Sequence, residues 1–83
     1  MTCNKEEIIK KLLEEKEFQE KASNTYLLAL HDLYLKQINC IENSNTVSLY
    51  LQDKIKENFC YYNISIDEIN NINTRINYIK KMQ

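Results

Sequence analysis

Isoleucine, leucine and tyrosine recur at spacings of three and four between polar stretches along most of the chain, the period of amphipathic helices. The first stripe is Ile8, Ile9, Leu12 and Leu13, followed by Phe18 and Ala22. Asn4 is placed to cap its start, with Glu7 at the third helical position as in a capping box. From Tyr26 to Leu35 the residues are apolar on nearly all sides, and Ile38 and Ile41 extend the run, which predicts a helix at the centre of the molecule. Val47, Leu51, Ile55, Phe59 and Tyr62 line one face of a further helix. Ile69, Ile72, Ile76 and Ile79 then form the cleanest seam in the sequence, introduced by the capping-box pattern Ser65 to Glu68 and closed by Lys80 and Lys81.

Polar clusters divide these stripes. Asn43 to Thr46 is the strongest turn signal, with Asn45 or Thr46 placed to cap the next helix. Ser23-Asn24-Thr25 is a weaker one, because side chains of this kind compete for backbone hydrogen bonds and favour helix starts. The expected fold is therefore all-α, a single domain over residues 1–83 forming a small compact four-helix bundle with helices near 5–22, 25–42, 46–62 and 66–82. The alternative is three helices with a long first helix, dimeric, since Phe18, Ala22, Tyr26, Ala29 and Leu33 keep helical spacing through Ser23 to Thr25. Glu6-Lys10, Glu7-Lys11 and Glu17-Lys21 are expected to pair along a solvated face.

The chain contains neither glycine nor proline, so both common helix interrupters are missing and glycine-rich phosphate loops are excluded. Eleven Lys and Arg against twelve Asp and Glu give a formal charge of -1, which provides no global field toward nucleic acid or an anionic bilayer. Three cysteines, Cys3, Cys40 and Cys60, form no CxxC pair, and an odd number of unpatterned thiols fits a reducing, cytoplasmic setting. No apolar leader or membrane span is read from the sequence. Asparagine, lysine and isoleucine are abundant in the way AT-rich coding produces, which suggests a bacterial or phage source and weakens arguments from asparagine number.

Candidate chemistry is sparse. His31 is the only histidine, and its neighbour Asp32 points in a different direction around a helix, so no relay is built locally. Cys3, His31, Cys40 and Cys60 are zinc-ligand types without the close pairs that structural zinc sites use. Glu7, Glu14 and Glu17 lack the Glu-x-x-His pattern of di-metal bundles. The expectation is no catalytic residue, no metal and no cofactor.

Two surfaces stand out instead. Tyrosine and phenylalanine suit protein interfaces, and Tyr34, Tyr50, Phe59 and Tyr62 are the interface candidates. Asn70, Thr74, Asn77 and Lys81 form a polar stripe opposite the isoleucine seam. Asn70, Asn77, Arg75, Lys80 and Lys81 have the chemistry to meet base edges and phosphates. The expected function is that of a non-enzymatic small regulator or inhibitor that binds a partner protein by helix-face contact. The alternative is a dimeric nucleic-acid-binding regulator using the C-terminal helix.

Overall fold

The computed structural model describes residues 4–82. It contains two helices, α1 at Lys5–Ser44 and α2 at Leu49–Lys81, folded against each other as an antiparallel hairpin. The molecule is a rod of 65 × 17 × 15 Å. Its radius of gyration is 18.8 Å, against about 12 Å for a compact chain of this length. The compact four-helix bundle is thereby overturned. The first two expected helices are one, and so are the last two. The three-helix alternative allows for the first fusion but not for the second.

The polar residues expected to break the helices are instead absorbed by them. Ser23 Oγ donates to the Glu20 carbonyl at 2.8 Å, and Thr25 Oγ1 donates to the Lys21 carbonyl at 3.0 Å. Ser65 Oγ does the same to the Tyr61 carbonyl at 3.1 Å, so it caps no helix start. A hydroxyl satisfied by the preceding turn no longer competes with the helix for backbone groups. Ser23 and Ser65 are buried, at 6% and 4% exposure.

Those two serines lie on the seam that joins the helices. On α1 the residues turned inward are Ile9, Leu12, Lys16, Gln19, Ser23, Tyr26, Leu30, Leu33, Gln37 and Cys40, spaced by alternating threes and fours. On α2 the series Leu51, Ile55, Asn58, Tyr62, Ser65, Ile69, Ile72, Ile76 and Ile79 keeps the same alternation. This is the heptad pattern of a two-stranded coiled coil, continuous over the rod. It was hidden in the sequence because Lys16, Gln19, Ser23, Asn58 and Ser65 carry the period with polar side chains. Tyr26 and Tyr61 fix the register, their ring centroids 5.6 Å apart at an interplanar angle of 32°.

The ends and the turn are capped by asparagine and serine. Asn4 accepts a hydrogen bond from the Glu6 amide at 3.0 Å and starts α1. Asn45 ends it in the left-handed region, at φ 52°, with its amide donating to the Ile41 carbonyl at 2.9 Å. Asparagine tolerates that conformation better than other residues with a β-carbon, and this chain has no glycine to take its place. The cap of α2 is therefore neither Asn45 nor Thr46 but Ser48, whose Oγ accepts from the Leu51 amide at 3.2 Å. Gln37 clamps the returning chain: its Nε2 donates to the Ser48 carbonyl and its Oε1 accepts from the Ser48 amide, both at 3.0 Å. Gln37→Ala is expected to cost about 1 to 2 kcal/mol for these two bonds, measured by urea unfolding, while Gln37→Glu retains only the accepting half.

The core is thin. Among the described residues only Leu30, Ile72 and Ile76 are buried aliphatic side chains, and Ile72 alone is fully enclosed. The run from Tyr26 to Leu35 does not sit at the centre of a bundle. Leu27 is 50% exposed, Leu28 71% and Leu35 51%, because a hairpin gives each helix a single neighbour. No described helix is long and apolar enough to cross a membrane.

Candidate functional site

The antiparallel hairpin brings the start of α1 and the end of α2 to one tip, and with them cations that are far apart in sequence. Lys5, Lys10 and Lys11 of α1 and Arg75, Lys80 and Lys81 of α2 are all exposed there, with only Glu6 and Glu7 as acids at the same level. Lys5 Nζ donates to the Met82 carbonyl and ties the ends together. None of these six cations enters an ion pair among the described residues. The pairs that do form are Lys16–Glu20 at 3.9 Å, Glu17–Lys21 at 3.4 Å, Asp32–Lys36 at 2.9 Å and Lys54–Glu57 at 3.5 Å. The expected Glu17-Lys21 pair is thus present. Glu6-Lys10 and Glu7-Lys11 are not, which leaves Lys10 and Lys11 free to meet another anion.

Behind the tip the sign reverses. Glu14, Glu15, Glu17 and Glu20 of α1, with Asp67 and Glu68 of α2, outnumber Lys16 and Lys21. The near-neutral chain is therefore a polarised rod, positive at its open end and negative just behind it. Half of this was visible in the sequence, since no acidic residue follows Glu68. The other half was not, because the α1 lysines join the patch only when the hairpin closes.

Of the nucleic-acid candidates, Arg75, Asn77, Lys80 and Lys81 lie at this tip, whereas Asn70 lies behind it, two positions from Glu68 at the level of the acidic belt. Asn70, Thr74, Asn77 and Lys81 all face solvent, one stripe along α2, and Thr74 Oγ1 donates to the Asn70 carbonyl at 2.9 Å. Arg75 borders a shallow cleft with Ile8, Leu12, Thr74, Tyr78 and Ile79. Tyr78, at 69% exposure, offers a free ring face beside it.

The interface candidates gather around the other half of the rod. Tyr34, Phe59 and Tyr62 line one apolar groove together with Leu27, Leu28, Leu30 and His31. An adjoining groove runs mostly along α2, lined by Ile55, Lys56, Phe59, Cys60, Asn63, Ile64 and Asp67, with Tyr34 of α1 at its edge. Tyr50 lies outside both, 69% exposed, with the Lys54 ammonium 5.9 Å from its ring centre. Leu27, His31 and Tyr34, the groove's α1 wall, each follow a seam residue by one position. Sequence reasoning placed the stretch from Tyr26 to Leu35 at the centre of a bundle because it expected helices on every side, and named only Tyr34 of these three as an interface candidate.

His31 stands at the exposed rim of the first groove, among apolar and aromatic neighbours. Cys40 is half-buried and Cys60 exposed, both as free thiols. Among the described residues no three His, Cys, Asp or Glu side chains converge as a metal site, and Cys3, the remaining member of the set weighed for zinc, lies outside those residues. No family model matches this chain, and no curated protein or solved structure matches it either.

Proposed function

We propose that this protein is a non-enzymatic regulator, acting in a reducing cytoplasm, that binds nucleic acid as a dimer through the basic tip of its helical hairpin. The observation that carries the reading is the gathering of Lys5, Lys10, Lys11, Arg75, Lys80 and Lys81 at one exposed end, without ion-pair partners among the described residues. Such a cluster attracts a polyphosphate and releases its counterions on binding. The acidic belt behind the tip repels a duplex laid along the rod, so the approach is end-on.

The 17 × 15 Å cross-section is wider than the major groove, which is about 12 Å across. Phosphate contacts therefore supply most of the affinity. Asn77 on the exposed edge of α2 supplies what base discrimination there is, and Tyr78 has a ring face available for stacking on an unpaired base.

The test is fluorescence anisotropy on a 20-base-pair duplex and on a single strand of matched length, from 50 to 200 mM salt. Three to six phosphate contacts give a log–log salt slope of about -3 to -5 on the duplex. R75E/K80E/K81E is expected to lower affinity at least 30-fold and to flatten that slope. Binding that ignores both salt and charge reversal would sink the proposal.

A second reading is favoured by the convergence of Tyr34, Phe59 and Tyr62 on one groove. There the protein acts by helix-face contact with a partner protein. Charge reversal at the tip would leave that activity unchanged, whereas Tyr34→Ala would weaken it.

A further inference from the structure

The groove on α2 has a charge pattern that complements itself. Lys56, Phe59, Cys60, Asn63, Ile64 and Asp67 follow one another along a single helix face. Their spacing runs three, one, three, one, three, so it reads the same in both directions. Lys56 and Asp67 stand about 16 Å apart along the axis, one at each end, with no charge on the face between them. Phe59 and Ile64 lie just inside them, 49% and 59% exposed.

When this face meets a copy of itself running the opposite way, with the two-fold axis between positions 61 and 62, each residue meets its complement. Lys56 faces Asp67 of the second copy and Phe59 faces Ile64, each twice over, as an isologous interface requires. Cys60 meets Asn63. Docked in parallel, the same face would set Lys56 against Lys56 and Asp67 against Asp67, which costs affinity. The face therefore also selects the orientation of its partner.

The area of the chain fits such an arrangement. The 10.0 kDa chain exposes 6691 Å², while a compact monomer of that mass exposes about 5,200 Å². The excess, about 1,500 Å², is larger than the roughly 800 Å² that each partner contributes to a stable interface of ordinary size. A hairpin with three buried aliphatic side chains among its described residues has apolar surface left for association.

We propose that the protein forms an antiparallel homodimer through the α2 face from Lys56 to Asp67, with Phe59 and Ile64 packed across the two-fold axis and two Lys56–Asp67 pairs at its edges. This inference rests on the dimeric form in the proposed function, with the two basic tips at opposite ends of the dimer, each approaching nucleic acid end-on by itself. Its test contains no nucleic acid, so a failure here leaves salt-dependent binding by the tip standing, and loss of that binding leaves the dimer standing.

The experiment is sedimentation equilibrium of the full chain and its charge variants, from 1 to 200 µM, with far-ultraviolet circular dichroism on the same samples. The wild type is expected to be a dimer. Lys56→Asp or Asp67→Lys alone places like charges together twice and should raise the dissociation constant at least about tenfold. The double variant K56D/D67K, and an equimolar mixture of the two single variants, should each return to within about threefold of wild type. Where a single variant loses helicity, recovery of both helicity and dimer in the mixture supports the proposal in the same way. A wild type monomeric at 200 µM would overturn the proposal. A dimer indifferent to both single substitutions, or a double variant as weak as the single ones, would overturn it equally.

Discussion

Ile66→Pro is expected to abolish most of the cooperative unfolding transition of this protein. In a bundle whose last helix starts at Ser65, residue 66 is the first helical position, where proline is well tolerated. In the hairpin it lies within α2, with helix on both sides from Leu49 to Lys81. Proline there removes a backbone donor and drives its ring into the preceding turn, at a cost of about 3 kcal/mol or more. It also bends the seam between Tyr62 and Ile69, so the two halves of α2 no longer follow α1 together. Thermal melts followed by circular dichroism, with Ile66→Ala as a side-chain control, separate these effects. A proline variant that melts like the alanine variant would show that the chain breaks at Ser65 after all.

The second large effect is expected at Ile72. Its side chain has no exposed surface and is one of three aliphatic groups buried among the described residues. Truncation to alanine removes its burial and leaves a cavity that two straight helices collapse into only partly, at a cost of about 2 to 5 kcal/mol. For a domain of this size the midpoint falls by roughly 10 to 30 °C. Phe18→Ala provides the contrast. Phe18 is the larger side chain but 69% exposed, and its removal is expected to change stability by no more than about 0.5 kcal/mol. Equal effects from the two variants would place the core elsewhere.

The sequence announced some elements of this structure and concealed others, for identifiable physical reasons. The isoleucines from Ile69 to Ile79 were legible because apolar side chains mark every seam position there. The same seam passes through Lys16, Gln19 and Ser23 on α1 and Asn58 and Ser65 on α2, where hydropathy loses the period. Ser23 and Ser65 were misleading for a further reason: a serine hydroxyl caps a helix start or bonds back to the turn before it with similar ease. The turn was found but displaced, since Asn45 is the end of α1 and Ser48 the start of α2. The Tyr34–Phe59–Tyr62 groove was anticipated as three residues without a shared location. The basic tip was anticipated only in its α2 half, because Lys5, Lys10 and Lys11 come within reach through the fold alone.

The two ends of the hairpin differ in what it takes to form them. Near Asn45 the helices are joined by a four-residue turn, and Gln37 is held to Ser48 across only eleven positions. At the tip, Lys5 and Met82 are separated by 77 positions. Closing a loop of 77 residues rather than four raises the entropic cost by about 2.6 kcal/mol. The fully enclosed Ile72 and the buried Ile76 are found toward that expensive end, where they offset the polar seam residues Lys16 and Gln19. Loop-closure cost alone predicts an order of folding in which the hairpin nucleates at its turn and zips toward the tip, where the isoleucines latch it, with φ-values expected to be higher near Gln37 than at Ile76. In that order the lysines and arginine of the tip come together last, so a chain caught partway through zipping has a turn and a groove but no basic patch.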